Sequence, residues 1–191
     1  MKRLMHFTAA VAMAAAVSAC DRTPDTATGT GGTVGTSGSM DADRGFVEEQ
    51  LAIGTAEIEL GRLAQERAMH ADVKEFAAMM VRDHQAAGDE LKPIAAKVST
   101  AQTPAARTAD RTDHLEQLEE LSKLSGLDFD RKYIAEMIDD HQDGIEDLES
   151  KAEKAANPEV KQWAAKTLPK MREHLERAKA IKETLDRAGN Y

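Results

Sequence analysis

Two segments of the chain repeat an Asp-His-Gln core that could carry chemistry. Residues 80–91 read MVRDHQAAGDEL and residues 137–148 read MIDDHQDGIEDL, with five identical positions and three Val/Ile or Asp/Glu exchanges. The repeat places His84 and His141 in the same local context. An imidazole can bind a transition metal, titrate near neutral pH, or pack in a core as a hydrogen-bonded residue. Which of the three roles applies depends on where the helices place these two histidines.

The pattern from residue 43 onward predicts helices and no strands, because apolar residues recur at helical spacing and never alternate. Four long helices are predicted over residues 43–69, 72–98, 128–155 and 158–189, and a short helix over 109–124. Asp72 is predicted to cap the second helix, Asp128 the fourth and Asn157 the fifth. Pro93 and Pro169 lie inside helices and are expected to kink them. The predicted fold is an all-α four-helix bundle with one additional short helix in the crossover.

One strongly polar residue lies near the middle of the apolar stripe of each long helix. These residues are Glu57 in the first, His84 in the second, His141 in the fourth and His174 in the fifth. Stripe positions alternate spacings of four and three, so each polar residue faces the bundle core. Small residues occupy nearby stripe positions and leave room beside the polar groups: Gly54, Gly61, Ala87, Gly144 and Ala178.

The four polar residues are expected to lie at one depth of the bundle. Glu57 and His84 are 13 and 14 residues from the predicted turn near residue 70, or roughly 20 Å along each helix. His141 and His174 are 15 and 18 residues from the turn near residue 156, which differs by about one helical turn. One carboxylate and three imidazoles suit a mononuclear site for zinc, iron or manganese. Methionines three or four residues before each histidine would also suit Cu(I): Met80, Met137 and Met171.

The alternative is a buried polar layer without a metal, which the sequence favours because core histidines and methionines are more often packing residues. A pH switch is a third role. Asp83 and Asp140 lie about 100° round their helices from the histidines and are expected to bond neighbouring groups. His70 and His114 are predicted at the surface. No nucleophile stands beside a base at a recognisable spacing, so the sequence offers no catalytic residues.

The N-terminus has the pattern of an export signal. Lys2 and Arg3 precede an Ala/Val/Met run, and residues 17–20 read VSAC, which resembles a bacterial lipobox. Residues 1–19 are therefore predicted to be a signal peptide and Cys20 the lipidated residue. Residues 21–42 are Thr/Gly/Ser-rich and predict a disordered tether. Asp21 resembles an inner-membrane retention signal of enteric bacteria, but the sequence does not decide between the inner and the outer membrane.

The net charge of the chain limits the kinds of partner that it can bind. The chain has a net charge of −9, and loss of residues 1–19 removes two basic residues and no acid, giving −11. Without a basic stripe, nucleic acid is an unsuitable partner. A lipid anchor at Cys20 makes the membrane the expected partner, on the periplasmic side of the cell envelope.

The folded region resembles a known family in three segments: AEIELGRLAQERAMHADVKEFAAMMVRDHQAAGDEL, FDRKYIAEMIDDHQDGIEDL and WAAKTLPKMREHLERA. They are similar to the DUF4142 family of bacterial exported proteins, and the resemblance implies a ferritin-like bundle over residues 43–189. It implies no catalytic residues. Ferritin-like di-iron sites use Glu-x-x-His, whereas Val81, Ile138 and Met171 stand three residues before the histidines. The expected function is that of a non-enzymatic envelope lipoprotein, with a stress-related role as one option and metal binding as the alternative.

Overall fold

The computed structural model describes residues 34–98 and 106–188. It confirms the all-α prediction, with no strand in these two ranges. The five helices are α1 (Val34–Arg67), α2 (Ala71–Val98), α3 (Ala106–Ser122), α4 (Gly126–Lys154) and α5 (Pro158–Ala188). Among the described helices, none is long and apolar enough to cross a membrane. The predicted signal peptide and Cys20 lie outside the described residues.

Helix boundaries differ most from the prediction at the start of α1. This helix begins at Val34, nine residues before the expected start and within the segment predicted to be a tether. Extending an existing helix adds one hydrogen bond per ordered residue, so polar residues can join a helix that packing has already nucleated. Pro93 and Pro169 lie within α2 and α5, which continue through them, and their kinks stay a prediction.

The caps confirm one prediction and correct two. The side chain of Asn157 accepts hydrogen bonds from the backbone N–H groups of Glu159 and Val160, at 2.8 and 3.3 Å, as expected for the N-cap of α5. The expected cap of α2 is wrong, because His70 Nδ1 accepts from the backbone N–H of Asp72 at 3.2 Å. Similarly, residue 128 lies in the first turn of α4 and does not cap it.

Two helical hairpins form the bundle. Helix α1 packs on α2, α4 packs on α5, and α3 connects the hairpins and packs on α1. Asp130 on α4 accepts hydrogen bonds from the backbone N–H groups of Met69 and His70, at 3.0 and 2.7 Å. Asp43 on α1 accepts from the backbone N–H of Asn157 at 2.7 Å. The start of α4 therefore lies at the start of α2, and these two helices run in the same direction.

The core consists of two apolar clusters. The first apolar cluster contains Leu60, Ala64, Ala68, Val73, Phe76, Ala77, Met80, Leu121, Phe129, Tyr133, Ile134, Met137, Ala178, Ile181 and Leu185. The second apolar cluster contains Phe46, Val47, Leu91, Leu148, Val160, Trp163, Ala164 and Met171. On each long helix, one buried polar residue lies between the members of the two clusters: Glu57, His84, His141 and His174. We call these four residues the polar layer.

Candidate metal centre

The structure brings all four predicted site residues together. His141 is 0%, His174 1%, Glu57 2% and His84 9% exposed, so the polar layer is almost fully removed from solvent. Ligand nitrogens of the three histidines lie within 4.8 Å of one another. The placement of these four residues in one layer agrees with the depth expected from the sequence.

Each hairpin supplies two members of the layer. In the first hairpin, His84 Nε2 lies 2.7 Å from Glu57 Oε2. In the second, His141 Nε2 lies 3.3 Å from His174 Nδ1. Across the hairpins, His141 Nδ1 lies 3.7 Å from Glu57 Oε1. The layer is therefore a junction between the two halves of the bundle, and whatever binds its atoms also joins the hairpins.

Hydrogen bonds within the described residues leave several of these atoms without a partner. Both Glu57 oxygens, His84 Nε2 and His141 Nδ1 are buried and make no hydrogen bond, although His84 and Glu57 are in short contact. At 2.7 Å, His84 Nε2 and Glu57 Oε2 are close enough to attract each other as an ion pair. Buried polar groups without partners are costly, so these atoms need another ligand or a purely electrostatic partner.

The separations suit a shared metal ion. Bonds of 2.0–2.1 Å in a tetrahedral site place ligand atoms about 3.3 Å apart. Two separations in the polar layer are near that value, 2.7 Å between His84 Nε2 and Glu57 Oε2 and 3.3 Å between His141 Nε2 and His174 Nδ1. One ligand nitrogen from each histidine lies within 4.8 Å of the other two, so side-chain rotations can bring the three nitrogens and one oxygen to a common ion.

The layer contains one buried ion pair. Burial alone would raise the pKa of Glu57, but the charges of His84 and His141 outweigh it and lower the pKa to about 2. Burial alone would lower the pKa of His84, but the charge of Glu57 outweighs it and raises the pKa. Each group therefore favours the charged form of the other.

The other two histidines are neutral at pH 7. Burial is the largest influence on His141 and lowers its pKa, against the opposing charge of Glu57. Burial also lowers the pKa of His174 to about 4, despite a hydrogen bond to Asp83. A metal ion binds the unprotonated imidazole, so these two side chains are ready as ligands without losing a proton.

The two aspartates of the repeat have different partners. Asp83 Oδ2 accepts a hydrogen bond from His174 Nε2 at 3.1 Å, which agrees with the expectation that it bonds a neighbouring group. Asp140 accepts from the side-chain amide of Gln117 on α3 at 3.4 Å. Burial and the charge of Glu57 raise the pKa of Asp140 to about 7. The repeat therefore preserves the histidine positions but not the contacts of the preceding aspartates.

A comparison with known protein families assigns the chain to one of them. A family model described as a domain of unknown function, DUF4142, matches residues 29–181. The chain belongs to the DUF4142 family. No curated protein and no solved structure matches it. The family assignment agrees with the resemblance seen in the sequence, and the match spans the whole polar layer.

In this DUF4142 domain a surface cleft reaches the polar layer at His84, its least buried member. A cleft of 1040 Å³ includes Glu57, His84 and His174 in its lining. Gly54 also lines it, and a Cβ at this position would lie 4.0 Å from His84 Nδ1. An ion can therefore approach the layer without separating the hairpins.

The methionines pack in the apolar clusters on either side of the layer. Met80 and Met137 belong to the first apolar cluster, and Met171 belongs to the second. A Cβ added at Gly144 would lie 3.0 Å from Met171 Cε, so this methionine fills the space beside a glycine. The donor set is thus nitrogen and oxygen, which favours a divalent transition metal over Cu(I).

His114 corrects a prediction made from the sequence. Its side chain is only 11% exposed, and Nε2 lies 3.3 Å from Glu59 Oε2 on α1. Its Nδ1 is buried without a hydrogen-bond partner in the described residues. The side chain is covered because α3 packs on α1, a contact between helices that are not adjacent in sequence. No local pattern around residue 114 indicates this contact.

Proposed function

We propose that this DUF4142 protein is an envelope-anchored metal-binding protein whose mononuclear site consists of Glu57, His84, His141 and His174. The observation that carries the proposal is the convergence of three buried histidines, with one ligand nitrogen of each within 4.8 Å of the others, beside the buried carboxylate of Glu57. A metal ion would give each of these groups a partner and would offset the cost of burying them.

The donor set indicates the class of ion. Imidazole binds zinc, iron and copper, and a carboxylate adds affinity for harder divalent ions such as manganese. Four protein ligands in a tetrahedron are typical of closed zinc sites, whereas catalytic zinc sites keep a position for water. The proposed role is therefore binding and stabilisation by a divalent ion, without a chemical reaction.

The cellular part of the proposal rests on the sequence. The signal pattern of residues 1–19 and the lipobox ending at Cys20 support export and lipidation. The bundle would then face the periplasm, joined to the membrane by the segment after Cys20. The net negative charge opposes nucleic acid and anionic lipid as additional partners.

Elemental analysis tests the metal site. The protein would be expressed with its own leader, purified without a histidine tag, mixed with Zn²⁺, Fe²⁺, Mn²⁺ or Cu⁺, and dialysed. We expect close to one zinc ion per chain, and a large loss of zinc in a His84→Ala/His141→Ala variant. His70→Asn is the matched control, because His70 lies outside the layer and asparagine retains a capping acceptor.

A second candidate is a buried polar layer that serves packing alone. The ion pair between Glu57 and His84 and the His141–His174 contact favour it, because both exist without a metal. This candidate predicts that dialysis removes all metal and that the thermal midpoint is the same with zinc and with a chelator.

A further inference from the structure

Unlike the other acids near the polar layer, Asp83 lies outside the layer and bonds one of the candidate metal ligands. We propose that Asp83 is a positioning residue, which fixes the imidazole of His174 so that Nδ1, and not Nε2, binds the metal. The inference rests on the proposed metal site and deepens it by assigning the ligand atom.

The contacts of Asp83 define the orientation of the imidazole. Asp83 Oδ2 lies 3.1 Å from His174 Nε2, while Asp83 Oδ1 accepts from Arg82 Nε at 2.8 Å. Lys170 Nζ lies 3.7 Å from Oδ2. Two cations beside the carboxyl group favour its ionised form, and a carboxylate can only accept hydrogen bonds. His174 must therefore donate from Nε2.

The proton on Nε2 leaves a lone pair on Nδ1. A neutral imidazole carries one N–H, so fixing it at Nε2 makes Nδ1 the unprotonated nitrogen. His174 Nδ1 is also the atom that faces the layer, 3.3 Å from His141 Nε2. A carboxylate that holds the outer N–H of a ligand histidine fixes its tautomer and raises its basicity. Asp83 has the geometry for both effects.

The equivalent aspartate in the repeat does not share this role. Asp140 accepts from Gln117, and its contact leads to α3 and not to a histidine of the layer. The repeat therefore supplies an internal comparison: two aspartates precede two core histidines, and only the Asp83 contact reaches His174. Because Asp83 contacts a histidine on a different helix, its effect requires the folded bundle.

The test uses the intact protein, labelled with ¹⁵N and studied by NMR and zinc titration. In the metal-free wild type we expect the nitrogen shifts of His174 to show Nε2–H, and on adding Zn²⁺ the Nδ1 signal to move. Asp83→Ala should release the tautomer and weaken zinc binding by roughly 10- to 100-fold. Asp83→Asn retains an oxygen acceptor without the charge, so its zinc affinity should lie between the two.

Asp89→Ala is the matched control, since Asp89 is an exposed acid on the same helix that pairs with Lys92 at 2.7 Å. It should leave the tautomer and the zinc affinity unchanged. An Nδ1–H tautomer in the wild type, or an unchanged tautomer and affinity in Asp83→Ala, would overturn the inference while leaving the metal site standing. Absence of zinc binding in the wild type would instead overturn the proposed function and the role of Asp83 with it.

Discussion

Replacing Glu57 by glutamine tests whether the buried carboxylate stabilises the bundle before any metal binds. Glu57→Gln keeps the shape of the side chain and removes its charge. The pKa of about 2, against an ordinary value of 4.5, corresponds to about 3 kcal/mol of net stabilisation from the charged form. At pH 7, His141 and His174 are neutral, so they do not attract the Glu57 carboxylate by charge. We therefore expect Glu57→Gln to lose about 2 kcal/mol in the free energy of unfolding.

The effect should depend on pH in a defined direction. A carboxyl group whose pKa is lowered by folding stabilises the protein above its unfolded pKa and loses that contribution as pH falls through its folded pKa. The difference between wild type and Glu57→Gln should therefore be full between pH 4.5 and 6.5, shrink towards about pH 2, and shrink again as pH rises through the raised pKa of His84. Urea unfolding of the metal-free proteins, followed by circular dichroism at several pH values, measures this difference.

The control is Glu59→Gln, two residues along α1. The Glu59 side chain is 51% exposed and pairs with His114, so its removal should cost less than about 1 kcal/mol. Equal or greater stability of Glu57→Gln at pH 7 would refute the reasoning. It would mean that the burial cost of the carboxylate exceeds its attraction to His84, as happens for some buried ion pairs.

Four further perturbations have expected outcomes. Zinc at 100 times its dissociation constant should stabilise the wild type by about 2.7 kcal/mol and raise the thermal midpoint by roughly 5–11 °C, with no rise in His84→Ala/His141→Ala. Asp130→Ala removes the acceptor of two backbone N–H groups and should cost about 2–3 kcal/mol in urea unfolding. Gly61→Ala should cost about 1–3 kcal/mol, because its Cβ would lie 2.9 Å from a side chain and 3.2 Å from a carbonyl oxygen of α2. Gly88→Ala, with nothing within 4 Å, should instead stabilise α2 by about 0.5–1 kcal/mol, and thermal unfolding of both variants checks the contrast.

The polar layer was predictable because helices are regular. With a fixed rise per residue, Glu57 and His84 must lie at equal distance from the turn between them. The apolar stripe then determines that both face the core. The distance along the helix from the turn near residue 156 was calculated in the same way for His141 and His174. In the structure, the four side chains lie within contact distance.

Contacts between helices that are distant in sequence were not predictable in this way. Asp43 and Asp130 hold the turns of the opposite hairpins, and neither position has a local signature of that role. The cover over His114 depends on how α3 crosses α1. The early start of α1 reflects extension of a packed helix, which composition alone does not reveal.

X-ray absorption spectroscopy of the zinc-loaded protein tests the central claim most directly. A metal centre in the polar layer predicts a first shell of four nitrogen and oxygen atoms at about 2.0–2.1 Å, with outer-shell scattering from three imidazoles. The imidazole count should fall to one in His84→Ala/His141→Ala if zinc still binds. A shell dominated by oxygen, or one without imidazole scattering in the wild type, would contradict a metal centre in the polar layer.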